Sequence, residues 1–207
     1  MIILSHRGYW KYLTERNQRI AFERSFNLGF GTETDLRDSG KKIVISHDMP
    51  GGNEISFEEV LKIMDGRNLP LALNIKADGL ADDILDLLNK YNHTNYFTFD
   101  MSIPDMVVQI KKNVVVFTGL SDILSPAVLL DKVAGVWLDS FNSDWYEANI
   151  IDDLIQQSKS VCIVSADLHH RDYDLQWEMI KHCKSLNSTN LMICTDYPEK
   201  AKEYFCV

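Results

Sequence analysis

The sequence predicts an α/β fold, a TIM-type (β/α)8 barrel with a short hairpin extension after its second strand. Three observations lead there. Eight apolar runs of strand length recur along the 207 residues, and helix-patterned segments separate most of them. Such alternation implies parallel strands, because each return of the chain needs a crossover helix. The chemistry-bearing residues also fall at the C-terminal ends of the predicted strands, where barrels of this type carry their active sites. An open doubly wound sheet is the competing architecture. No Gly-x-Gly-x-x-Gly follows the first strand to support it.

The predicted strands are 2–5, 30–36, 71–76, 96–99, 114–117, 135–138, 161–164 and 191–194, within one domain spanning 1–207. Residues 114–117 and 161–164 are continuously apolar, as buried parallel strands require. Asn17 is placed to cap a first helix that presents Ala21, Phe22, Phe26 and Leu28. Ser56 precedes a second helix, with Glu59 at capping-box spacing. Later helices fit 81–90, 103–111, 145–157, 173–185 and 199–205, with Asp196 placed to start the last. The link at 126–133 has room for only a helical turn or two. Between 36 and 47, Asp38-Ser39-Gly40 is turn chemistry and Ile43-Val44-Ile45 is strand chemistry, which predicts a hairpin. Pairing centred on Gly40 returns His47 to the level of Glu33, and a one-residue slip would point it to the other face.

Composition narrows the function classes. The formal charge of −9 carries no basic footprint, so nucleic acid is not an expected partner. No apolar run approaches a membrane span. The opening Met-Ile-Ile-Leu-Ser-His lacks the basic start and long apolar segment of a secretory leader. Cys162, Cys183, Cys194 and Cys206 form no Cys-x-x-Cys pair. Cys162 and Cys194 lie inside apolar runs and read as small core residues, so neither a disulfide nor a structural metal is expected. A cytoplasmic location fits best.

Three short segments concentrate the chemistry: Ser5-His6-Arg7-Gly8, Glu33-Thr34-Asp35 and Ser46-His47-Asp48. Glu33 and Asp35 are two apart on a strand and share a face. Paired carboxylates repel unless a proton or cation intervenes, and oxygen ligands suit Mg2+, Ca2+ or Mn2+. His6 and His47 can divide acid and base roles near neutral pH. Asp48 can orient His47, and Gly8 permits a tight backbone where a substrate approaches. Arg7 can grip a phosphate through two oxygens. Asn74 and Lys76 share a face at the end of the third strand. That pair suits metal and phosphate contacts, although Lys76 could equally pair with Glu33 or Asp35. Asp100, Thr118, Asp139, Ser165, Asp167 and Asp196 also fall near strand ends, and His169 and His170 follow the seventh strand. Loop or capping roles serve these at least as well. Trp137 reads as core, and His93 and His182 as surface or helix residues.

The chain resembles the glycerophosphodiester phosphodiesterase family, within the broader phosphatidylinositol-phospholipase-C-like phosphodiesterases. The resemblance rests on His6-Arg7-Gly8, Ala21-Phe22, Gly29, Glu33-Thr34-Asp35, His47-Asp48, Lys76 and Thr195-Asp196-Tyr197-Pro198, and is most specific before residue 50. It implies a TIM-type barrel that hydrolyses a small phosphodiester with a bound Mg2+ or Ca2+, Mn2+ being a further candidate. It implies His6 and His47 as the acid-base pair, Glu33 and Asp35 as metal ligands, and Arg7 and Lys76 as partners of the phosphoryl oxygens. Attack by a neighbouring hydroxyl, giving a cyclic phosphate, and direct attack by water are both mechanisms such enzymes use.

Three departures accompany the resemblance. Asn74-Ile75-Lys76 stands where the family has Glu-x-Lys. The amide oxygen of Asn74 can still ligate a hard cation, with one negative charge fewer and lower expected affinity. Glu15-Arg16-Asn17-Gln18 keeps only the asparagine of a Pro-Glu-Asn-Thr segment. The stretch after His47-Asp48 is shorter than in the glycerol-specific enzymes, so the resemblance does not fix glycerol specificity. Two other readings stay open. One is a barrel that binds a phosphate ligand without turnover. The other is a sugar-phosphate isomerase or aldolase with Lys76 as Schiff-base nucleophile.

Overall fold

The computed structural model describes every residue from Met1 to Val207. In chain order the elements are β1 (Ile2–His6), α1 (Arg19–Asn27), β2 (Gly31–Ser39), β3 (Lys42–Ile45), α2 (Phe57–Met64), β4 (Leu71–Ile75), α3 (Ala81–Lys90) and β5 (Tyr96–Phe99). Then follow α4 (Ile103–Lys111), β6 (Phe117–Leu120), β7 (Gly135–Leu138), α5 (Ala148–Gln156), β8 (Ser160–Val164), α6 (Asp174–Lys181), β9 (Leu191–Thr195) and α7 (Pro198–Phe205). The chain divides into two compact units. One is Ser5–Val116, and the other is Met1–Leu4 with Phe117–Val207.

In the Ser5–Val116 unit the strand order is β5-β4-β2-β1, with β3 on β2. β4 runs parallel to both neighbours, with Asp35 opposite Asn74 and Asn74 opposite Phe99. Every residue of β4 is buried, which explains its nearly unbroken apolar sequence. The hairpin forms, but its register is one residue off the expected one. Ser39 faces Lys42 and Leu36 faces Ile45, so the turn centres between Gly40 and Lys41. A two-residue turn sets that register. The ladder ends where the Ser46 amide donates to the Asp35 carbonyl, and His47 lies beyond it.

Local chemistry explains the helix starts. Ser56 accepts from the Glu59 amide, and Glu59 accepts from the Ser56 amide, completing the expected capping box of α2. Asn17 does not cap α1; Gln18 holds that position. Asn17 instead adopts φ +58°, donates its amide to the Arg7 carbonyl and turns its side chain to β2. Gly8, at φ +79°, is required by packing: a Cβ there would sit 2.8 Å from the Cβ of Ala21. Packing against helix α1 by itself therefore requires glycine here. His93, expected as a surface or helix residue, is buried and lies just beyond α3, and burial lowers its pKa. The expected strand at 114–117 starts late. Val116 makes only an isolated parallel bridge to Thr98, and the regular strand is Phe117–Leu120.

In the other unit the order is β1-β9-β8-β7-β6, and β6 to β9 pair in parallel. The segment between β6 and β7 contains no helix. Its turn is closed by the Ser121 hydroxyl, which accepts from the Ile123 and Leu124 amides. Helix α5 starts later than the pattern suggests, because Trp145 donates to the Asp139 carbonyl and Tyr146 is buried. Pro198, not Asp196, opens α7. The core gathers around Trp177, whose ring lies 5.4 Å from Phe205 and 5.3 Å from Tyr204. Cys162, Cys183 and Cys194 are buried, and all four cysteines are free. No helix is long and apolar enough to cross a membrane.

Candidate active site

Strands β2 and β4 lay down the floor of the site. Glu33 and Asp35 alternate with Thr34 and share a face, and the parallel register sets Asn74 beside Asp35. All three are buried, Asp35 completely. Arg7 follows β1 in the left-handed region, at φ +57°, and its amide donates to the Glu33 carbonyl. That backbone bond swings the guanidinium to Asp35, with Nε 3.0 Å from Oδ2. Lys76, anchored by its amide to the Leu36 carbonyl, brings Nζ to 3.4 Å from Asp35 Oδ1. The lysine therefore makes the carboxylate pairing that its sequence position allowed. His6 Nε2 stands 3.9 Å from Glu33 Oε2, too long for a hydrogen bond.

Burial sets the electrostatics. Loss of solvent, then the charge of Asp35, pushes the Glu33 carboxyl up to about 7, while His6, Arg7 and Lys76 oppose that rise. Three oxygens in this small group are inaccessible and accept no hydrogen bond: Glu33 Oε2, Asp35 Oδ1 and Asn74 Oδ1. Each such acceptor costs about 1–3 kcal/mol when left unsatisfied. Their coincidence on two adjacent strands leaves acceptors that an electrophile could engage. An all-oxygen donor set suits a hard divalent cation. No group of three or more His, Cys, Asp or Glu side chains is arranged to hold a metal, so the third donor of any such set here is the amide of Asn74.

Six of the seven residues singled out by sequence thus fall together: His6, Arg7, Glu33, Asp35, Asn74 and Lys76. His47 stands apart from this contact network. Its imidazole is half exposed, and Nδ1 bonds to Asp48 at 2.9 Å. The Asp48 carboxyl is held below its ordinary pKa by that bond first, and also by the charges of Arg7 and Arg37.

Three supporting residues were not read as such from the sequence. Asn17 donates to Asp35 Oδ2 at 2.8 Å and accepts from the Thr34 hydroxyl at 2.8 Å. The matching asparagine of the family motif was its only signal. Arg37, two residues beyond Asp35 on β2, donates to the His47 carbonyl at 3.2 Å. Asp100, a strand-end acid in the sequence, accepts from the Asn74 amide at 3.2 Å. A surface cavity of about 600 Å3, bordered by α5 and by residues just after α6, contains none of these side chains.

Comparison with solved structures places the fold. The chain superposes on a glycerophosphodiester phosphodiesterase from Agrobacterium tumefaciens with TM-score 0.74 and 14% identity, covering 100% of both chains. A phosphodiesterase from Oleispira antarctica, solved with sn-glycerol-3-phosphate, gives 0.70 and 13%, covering 100% of this chain and 97% of that one. A glycerophosphoryl diester phosphodiesterase from Parabacteroides distasonis gives 0.68 and 15%, covering 99% and 86%. The fold is the TIM-type (β/α)8 barrel of glycerophosphodiester phosphodiesterases. These are structures of the family that the sequence motifs resemble, and at such identities what is shared is the fold. No protein-family model matches the chain, and no curated protein matches it.

Proposed function

We propose that the chain is a metal-dependent phosphodiesterase acting on a glycerophosphodiester or a related small phosphodiester. The observation that carries this reading is the joint placement of three buried oxygens that accept no hydrogen bond, on Glu33, Asp35 and Asn74, beside Arg7, Lys76 and His6. The four free cysteines suit a reducing, cytoplasmic setting.

In this reading Glu33, Asp35 and Asn74 hold a Mg2+, Ca2+ or Mn2+ ion. When bound, the ion draws charge from a phosphoryl oxygen. Arg7 and Lys76, both next to Asp35, turn their remaining donors to the phosphate and stabilise the charge that grows on it during displacement. One histidine takes the proton of the attacking hydroxyl. The other returns a proton to the departing alkoxide, so the phosphodiester yields a free alcohol and a phosphate product. His47 suits the solvent-facing role, since Asp48 holds Nδ1 and the imidazole is half exposed. His6, only 14% exposed and set beside Glu33, suits the inner one.

The test is hydrolysis of glycerophosphodiesters and of bis(4-nitrophenyl) phosphate, before and after chelation, with Mg2+, Ca2+ or Mn2+ restored. Activity lost on chelation and regained on metal addition is the expected result. Tight phosphodiester binding with no product over a long incubation would replace this reading with that of a binding barrel. Borohydride trapping of a substrate on Lys76 would replace it with a Schiff-base enzyme.

A further inference from the structure

Asn74 presents two polar atoms with opposite fates. Its nitrogen donates to Asp100 Oδ2 at 3.2 Å, and its oxygen is buried with no hydrogen bond. The residue is only 8% exposed, so bulk solvent has little access to that oxygen. Turning the amide over would set its oxygen against the Asp100 carboxylate, oxygen to oxygen, while the nitrogen lost its acceptor. Asp100 therefore dictates which end of the amide is left unbonded. The backbone fixes Asp100 for this task. It follows Phe99, the register partner of Asn74, and adopts φ +64°.

Charge supplies the second half of the argument. Glu33 and Asp35 bring at most two negative charges, since Glu33 is pushed toward its neutral form, and Arg7 and Lys76 bring two positive ones beside Asp35. A neutral third donor adds nothing to attract a dication. A carboxylate bonded to the amide nitrogen draws electron density toward the amide oxygen and makes it a better donor. It also locks the ligand's orientation before the cation arrives.

We infer that Asn74 and Asp100 work as a unit, in which Asn74 gives a neutral oxygen to a divalent cation and Asp100, one hydrogen bond behind it, orients and polarises that oxygen. This rests on the metal-dependent reading above. Asp100 is a positioning residue in it. The missing carboxylate charge of the site is thereby displaced by one side chain rather than lost.

The test is direct Mn2+ binding to the full chain, without substrate, by calorimetry and by the electron paramagnetic resonance of free Mn2+. Near-UV circular dichroism verifies folding of each variant. Asp100→Asn should weaken Mn2+ about tenfold, within the 10- to 100-fold range of outer-shell substitutions. Asp100→Ala should weaken it at least as much, and serves if the first variant does not fold. Asn74→Ala should weaken it further. Asn74→Asp should tighten binding, and in that background Asp100→Asn should no longer weaken it, because a carboxylate ligand needs no partner on nitrogen. Equal weakening in both backgrounds would reduce Asp100 to a distant charge and overturn the inference. So would wild-type Mn2+ binding indifferent to Asn74→Ala, although Glu33 and Asp35 would keep their role. Hydrolysis by wild type with no Mn2+ bound would instead remove the metal-dependent reading itself.

Discussion

The buried polar groups of the two units have different fates. In the Met1–Leu4 and Phe117–Val207 unit they are partnered. Gln176 accepts from the Ala166 amide and donates to the Tyr146 hydroxyl and the Val164 carbonyl. Asp167 accepts from the Thr195 hydroxyl and the Asp196 amide, and His169 meets Asp139 at 2.7 Å. In the Ser5–Val116 unit, Glu33, Asp35 and Asn74 each keep a buried oxygen that accepts no hydrogen bond, and Asp35 Oδ1 has only the Lys76 ammonium at 3.4 Å. A closed network fixes loops to strands. An open one keeps acceptor capacity in reserve. The contrast separates polar residues whose hydrogen bonding is complete from those left with spare acceptors.

The contrast breaks most visibly through activity. His6→Ala should lower phosphodiester hydrolysis by 10²- to 10⁴-fold, the usual worth of a positioned acid or base. His47→Ala should fall in the same range, and neither should shift the melting temperature much. A profile of rate against pH should be bell-shaped across neutrality. Full activity in either variant would leave the open network without a catalytic purpose.

Glu33 gives the next largest effect, and one of unusual sign. Its carboxyl rises from 4.5 to about 7 in the folded chain, so the folded state holds the proton more tightly than the unfolded state does. The stabilisation from that proton is complete below about pH 4.5 and is lost as pH climbs through 7. At 1.36 kcal/mol per pH unit the loss is of order 3 kcal/mol. Glu33→Gln should therefore stabilise the metal-free chain at pH 8 by a similar amount and flatten the fall. Denaturant melts with chelator at pH 5, 6, 7 and 8 measure this. Burial also raises Asp167, but that residue is present in both proteins, so the difference between the two curves isolates Glu33. A Glu33→Gln chain less stable than wild type at pH 8 would show that the carboxylate is satisfied after all.

The legibility of these regions in sequence follows from range. Strand alternation, the Ser56 capping box and the shared face of Glu33 and Asp35 depend on neighbours a few residues apart, so the pattern alone reveals them. The hairpin was legible in kind but not in register, because one more residue in the turn shifts the whole ladder. The start of β6 was hidden because Val114, Val115, Val116 and Phe117 are equally apolar, and only pairing with Gly135 on β7 picks Phe117. Asn17 looked like a helix cap because a short polar side chain beside a helix start has that local use. Its real partners, Thr34 and Asp35, lie 17 and 18 residues away. The Asp139–His169 and Asn74–Asp100 pairs span 30 and 26 residues, and no local signal joins them.

On the partnered side the sign reverses. Gln176 is 2% exposed and serves three backbone or side-chain groups at once. Gln176→Leu keeps similar bulk but strands those partners, and should cost about 2 kcal/mol in urea unfolding. Here removal of a buried polar group harms the fold, whereas at Glu33 it relieves it. A neutral result at Gln176 would mean that water replaces the missing bonds, and the two regions would differ less than their bonding suggests.

The smallest effect belongs to the pair that most resembles a catalytic dyad. His169 Nε2 meets Asp139 Oδ1, and its ring lies 4.7 Å from that of Phe141. The same Asp139 oxygen also accepts from the Ser140 amide, so the carboxylate keeps a partner when the imidazole goes. His169 is 23% exposed, which lets water screen and replace the lost contact. His169→Ala should therefore cost only about 1 kcal/mol, read as a shift in urea midpoint with an unchanged slope. A change in slope would mean that the β7–α5 and β8–α6 connections open together, making the pair a clasp between loops rather than one more satisfied bond. A far larger loss of hydrolysis than of stability would instead move His169 to the side of the residues proposed to act in catalysis.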